Sequence, residues 1–241
     1  MFAAVGIVLL AGFVHSVTGF GFALIATPLL LFVFEPKSVV VINIILPGPL
    51  GVLILFYARR HVDIRQAALI CLGSLFGIPL GVYLLSSINP SMVKLVVGVL
   101  VIPFSVLLLL GHSHRFKKEG LGCGGVGLIG GVLGASTSLF GPPVVLYLLN
   151  QSLAKEQFVA TVSVYTVFAA IISAGAVVLM GMVTTPILMD VIILSPALIV
   201  SFYIGIKVRP KINVAIFKRI AALLVSITAL ILIVNFLLEL A

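Results

Sequence analysis

Two clusters of small and hydroxylated residues interrupt two long apolar runs of the chain. The first is His15-Ser16-Val17-Thr18-Gly19-Phe20-Gly21; the second is Ser136-Thr137-Ser138-Leu139-Phe140-Gly141-Pro142-Pro143. The hydroxyls of Ser16, Thr18, Ser136, Thr137 and Ser138 can donate hydrogen bonds to anionic oxygens. Gly19 and Gly21 let the backbone approach a ligand closely. Pro142 suits the first position of a helix. A helix restarting at each cluster, near Phe20 and near Gly141, would present free N–H groups and roughly half a positive charge. Two such ends facing one cavity make an anion site. Neither run contains a lysine or arginine, so neutral donors would do the binding, which favours release as well as capture. The same residues have a structural reading: small residues pack helices, and hydroxyls bond back to carbonyls of their own helix.

Other polar residues stand in apolar surroundings. Asn43 falls six residues after Lys37, and Thr161 and Ser163 hold nearly the corresponding places later in the chain. They would bind a substrate or hydrogen-bond between helices. His15, beside the first cluster, would carry a proton, bind the anion or pack as a neutral ring. Asp190 reads as completing a helix N-terminus. His112 and His114 sit in a basic loop without further metal ligands, and Cys71 and Cys123 read as small buried hydrophobes. No metal or other cofactor is expected.

The elements that must position these groups are membrane helices. The 241 residues are 62% hydrophobic and 8% charged, a composition that excludes a soluble domain and specifies one polytopic membrane domain. Residues 2–34 contain no charge. As one helix they would measure about 50 Å, against a hydrocarbon core of about 30 Å. They are too few for two full spans and a turn, at roughly 17 residues or more each. A re-entrant hairpin, with its turn near the midplane, fits this length. The run from Gly122 to Leu149, broken at its middle, reads in the same way. Full spans are expected at 38–57 (kinked at Pro47 and Pro49), 66–86, 91–110, 158–181, 187–206 and 216–238. The opening Met1-Phe2-Ala3-Ala4 has no basic residue, so a cleaved signal peptide is not expected.

The chain repeats itself. Gly205, Ile212, Asn213 and Lys218 follow Gly81, Ile88, Asn89 and Lys94 at an offset of 124, and Gly131 and Thr137 follow Gly12 and Thr18 at an offset of 119. The expected repeats are residues 1–111 and 120–241. If each broken run crosses the membrane once, the 14 basic residues divide 6 against 8. If each returns to its own side, 12 share one side: Arg59, Arg60, Arg65, Arg115, Lys117, Lys118, Lys155, Lys207, Arg209, Lys211, Lys218 and Arg219. The positive-inside rule prefers the second arrangement and places the basic loops in the cytoplasm, with both termini outside. The expected fold is therefore an all-α polytopic membrane protein of two inverted repeats, each a re-entrant helical hairpin plus three transmembrane helices. A ten-span arrangement gives the same charge count and is disfavoured by segment length.

Nearly the whole chain resembles the sulfite exporter TauE/SafE (TSUP) family. The resemblance rests on the Gly-x(6)-Gly-x-Gly segment from Gly12 to Gly21, followed by Pro28, on the matching segment from Gly131 to Pro143, and on the two-half layout. It departs from the family's glycine-richer pattern where Phe20 and Phe22 flank Gly21 and where the second half has Ser136-Thr137-Ser138. The resemblance implies movement of sulfite, sulfoacetate or sulfonates across the bacterial inner membrane, commonly outward. The expected function is an anion transporter working by alternating access; the alternative is an anion channel of the same build. An intramembrane enzyme would need a nucleophile with its base, paired carboxylates or metal ligands, and none is legible. The expected partners are a small anion and the lipid bilayer, with no role for nucleic acid; a homodimer is one assembly the chain allows. The expected binding residues are His15, Ser16, Thr18, Gly19, Phe20, Gly21, Asn43, Ser136, Thr137, Ser138, Gly141, Thr161 and Ser163.

Overall fold

A computed structural model describes residues 1–110, 119–151, 153–208 and 234. The basic loop at 111–118 and the expected span at 216–238 fall outside the described residues, apart from 234. The chain forms α1 (Phe2–Thr18), α2 (Phe22–Leu30), α3 (Pro36–Ile45), α4 (Gly48–Ala58), α5 (Ile64–Ser87), α6 (Pro90–Leu110), α7 (Glu119–Thr137), α8 (Gly141–Leu149), α9 (Lys155–Leu179) and α10 (Thr185–Val208). No strand occurs among the described residues. Among the described residues, four stretches are long and apolar enough to cross a membrane: Pro36–Phe56, Ile64–Ser87, Glu156–Leu179 and Thr185–Val208. The protein is a multi-pass membrane protein.

Local chemistry sets the breaks. α1 stops where Gly19 takes a left-handed conformation at φ 82°, with its N–H bonded to the His15 carbonyl at 2.7 Å. The stretch Pro36–Phe56 is interrupted between α3 and α4, as its prolines lead one to expect: Pro47 has no N–H to offer the carbonyl four residues back, that of Asn43. α5 begins on Asp63, whose carboxylate accepts the Gln66 N–H at 3.0 Å. Large apolar side chains on α5 and α10, such as Phe76, Leu80, Ile192 and Tyr203, point outward, as lipid-facing surfaces do.

The helices meet in two matching close contacts. On α5, a Cβ at Gly73, Gly77 or Gly81 would collide with the α7 carbonyls of Gly124, Leu128 and Val132 in turn. From the other side, a Cβ at Gly127 would strike the Ile70 backbone, and one at Gly131 would come within 2.8 Å of the Ser74 carbonyl. On α10, a Cβ at Gly205 would strike Ser16 of α1 and sit 3.3 Å from the Phe13 carbonyl, while one at Gly12 would strike Ser201. Small residues let backbones touch, which is how helices gain dispersion energy where lipid is as apolar as the protein.

Candidate functional site

Both broken runs fold back on themselves. α2 returns along α1 after the turn Gly19-Phe20-Gly21, in which Gly21 is also left-handed at φ 95°. α8 returns along α7 after Ser138-Leu139-Phe140, where Ser138 has φ 65°. The returning arms are short. At 9 residues each, α2 and α8 reach only about 14 Å. α1 and α7, at 17 and 19 residues, are much longer than the equal half-helices the sequence suggests. The hairpins are asymmetric because α2 ends at Leu30, four residues before its run does, and α7 begins at Glu119, ahead of the second run.

The two turns meet at one cavity of about 50 Å³, room for roughly four water-sized groups. His15, the start of α2 (Gly21 to Leu24), Asn43, Pro47, the second turn with the start of α8 (Ser138 to Pro142), Phe20 and Thr166 line it. The N-termini of two helices therefore open on the same space. They are not equivalent. The first turn of α2 carries the N–H groups of Phe22, Ala23 and Leu24, with no side-chain cap. In α8, Pro142 and Pro143 have no N–H, so Gly141 supplies the donor of that first turn.

A hydrogen-bonded chain ties the hairpins together beside the cavity. Asn43 Nδ2 donates to Thr27 Oγ1 at 3.0 Å, Thr27 Oγ1 lies 2.7 Å from Ser138 Oγ, and Ser138 Oγ donates to the Thr137 carbonyl at 2.5 Å. Thr27 is fully buried and Asn43 is 2% exposed. Two buried polar atoms near this chain, His15 Nδ1 and Asn43 Oδ1, have no hydrogen-bond partner. The His15 ring stands edge-on to Phe22, with centroids 6.5 Å apart.

Of the residues expected from sequence, His15, Phe20, Gly21, Asn43, Ser138 and Gly141 line the cavity. Gly19 shapes the first turn against Val159 of α9, and Phe20 meets Phe158 edge-on at 6.0 Å. Most of the expected hydroxyl donors bond to carbonyls of their own helices. Ser16 bonds to Gly12, Ser136 to Val132, Thr137 to Leu133 and Ser163 to Val159. Their protons are thereby engaged. Thr161 accepts the Asp63 N–H at 3.1 Å, and neither it nor Ser163 lines the cavity. The side chain of Thr18 lies outside the described residues. Thr27 and Thr166 escaped the sequence reading. Thr27 carried a signal, being the one polar residue of α2. Thr166 carried none beyond lying five residues past Thr161.

Among the described residues no group of His, Cys, Asp or Glu could hold a metal ion. Comparisons with curated proteins and with solved structures give no match. The family model for the sulfite exporter TauE/SafE matches residues 4–232. With two interrupted runs at equivalent places, a multi-pass helical body and that match over almost its whole length, the chain belongs to the sulfite exporter TauE/SafE family.

Proposed function

We propose that the protein is a transporter that holds a small anion between the tips of its two hairpins and releases it by alternating access. The observation that carries the reading is the single cavity onto which the N-termini of both α2 and α8 open. The helix ends supply positive potential and N–H donors without a fixed cation. The family description names sulfite, which favours a sulfur-containing anion; sulfoacetate and other sulfonates present similar sulfur-bound oxygens to the helix ends. His15, Phe20, Gly21, Asn43, Ser138 and Gly141 would contact it, while Ser16, Gly19, Ser136 and Thr137 would hold the tips in shape. The role is transport, not catalysis, with lipid and the anion as partners and no nucleic acid.

The packing supports two inverted repeats, over residues 1–111 and 120–241. Gly205 meets Phe13 and Ser16, and Gly81 meets Val132 and Ala135. Those two sets are related by the repeat offsets of 124 and 119. Sidedness is supported by a pocket of about 370 Å³ in which Glu35 and Lys37 gather with Ser86, Met182 and Thr184, where the Lys37 ammonium donates to the Ser86 carbonyl at 2.9 Å. If each broken run crossed the membrane, Lys37 and Thr184 would lie on opposite sides. If each returns, they share the outer side, and the basic loops face the cytoplasm of a cell whose inner membrane holds the protein.

The test is binding and flux with purified protein. Sulfite, thiosulfate, sulfoacetate, taurine and simple carboxylates are screened by thermal shift, then assayed for saturable movement into liposomes. A stabilising, saturable sulfur anion is expected. Absence of any anion-dependent shift and flux overturns the reading, and unitary currents would replace the carrier with a channel.

A further inference from the structure

The hydrogen-bonded chain beside the cavity fixes the direction of every proton in it. The Ser138 hydroxyl has one proton, and it goes to the Thr137 carbonyl. Ser138 Oγ therefore accepts from Thr27. Thr27 has then used its own proton, so its Oγ1 must accept from Asn43, which turns Nδ2 toward Thr27. The opposite amide orientation would place two acceptors, Asn43 Oδ1 and Ser138 Oγ, on the single Thr27 proton. The carbonyl oxygen of Asn43 is left as a buried acceptor without a partner, on a residue that lines the cavity.

An acceptor in that position is at odds with an anion that is all oxygen acceptors. We propose that the site selects an oxyanion that itself carries a hydrogen-bond donor on the central atom, so that its O–H or N–H meets Asn43 Oδ1 while its charged oxygens face the start of α2. This rests on the anion-site reading above and deepens it. For sulfur oxyanions the selected form is the hydrogensulfite type, with one proton on the ion, over the bare dianion. A ligand that carries the donor pairs this buried carbonyl, and one that lacks it leaves the carbonyl unpaired. Sites built to bond a polar group reject the analogue without it far more strongly than apolar pockets reject an extra methyl.

Sulfamate and methanesulfonate test this directly. Both are monoanions of nearly one shape, and they differ in having –NH2 or –CH3 on sulfur. Binding of each to the purified full chain is measured by calorimetry and by thermal shift. Sulfamate is expected to bind about tenfold or more tightly, within the range of 5- to 150-fold that an unpaired buried acceptor implies. Asn43→Leu is expected to bring the ratio of the two affinities to within about twofold, whatever becomes of each affinity alone. Equal affinity of the two ions for the unmodified chain, within about twofold, overturns the inference and leaves the anion site standing. Binding of neither, nor of sulfite, overturns the anion site and the inference together. The comparison is read on the unmodified chain, so a variant that fails to fold does not blunt it.

Discussion

The hydroxyl oxygens of Thr27 and Ser138 lie 2.7 Å apart although 111 residues separate them in the chain. One belongs to the returning arm of the first hairpin and the other to the turn of the second. Both are buried, and the bond between them joins the two broken runs next to the cavity that they share.

Thr27→Val keeps the shape of the side chain and removes this link. Asn43 Nδ2 loses its acceptor and Ser138 loses its donor, so two buried groups are stranded. The expected cost is about 1–3 kcal/mol of stability, read as a lower thermal midpoint in detergent, together with weaker anion binding. An unchanged midpoint and affinity would show that the bridge holds nothing together.

Gly19→Ala and Gly21→Ala separate two effects of the first turn. Both residues have left-handed backbones, at φ 82° and 95°, where a Cβ costs about 1–2 kcal/mol. At Gly19 the new Cβ would also sit 2.9 Å from Val159 Cγ1, whereas at Gly21 the nearest atom is 3.6 Å away. Gly19→Ala is expected to lower the thermal midpoint more. The reverse order would mean that backbone strain alone governs the turn.

Gly77→Ala and Gly175→Ala probe the helix contacts. The first drives a Cβ into the Leu128 carbonyl of α7, while the second meets nothing within 4 Å. Gly77→Ala should destabilise by at least about 1–3 kcal/mol, and Gly175→Ala should be neutral or gain about 0.5–1 kcal/mol from its helical preference. Thermal unfolding of the two variants side by side checks the contrast.

Ser163→Ala should leave anion affinity within about twofold. Its hydroxyl donates to the Val159 carbonyl at 2.7 Å, a bond of about 1 kcal/mol, and the side chain does not line the cavity. A large loss of affinity, measured by calorimetry, would place the anion against α9 and away from the two turns.

The breaks at Gly19 and just before Gly141 were legible because each apolar run is too long for one span, because glycine tolerates a left-handed backbone, and because Pro142 suits the start of a helix. The break at Pro47 was legible because proline has no donor. The meeting of His15, Asn43, Ser138 and Gly141 was legible in part, since polar residues in lipid must find each other. The use of the hydroxyls was not. Whether Ser136 faces a ligand or the Val132 carbonyl depends on a side-chain torsion, which residue type does not reveal. Thr161 and Thr166 lie on one helix, five residues apart, and only packing against neighbours decides that Thr166 reaches the cavity while Thr161 turns to the Asp63 N–H.

The contact between α1 and α10 also bears on biogenesis. Gly12 leans on Ser201, a residue the ribosome adds 189 positions later. At synthesis rates of 5–20 residues per second, α1 emerges roughly 10–40 s before its neighbour exists. During that interval its small-residue face must be shielded by lipid or by the insertion machinery, and a helix made much later, α10, completes the seat of α1.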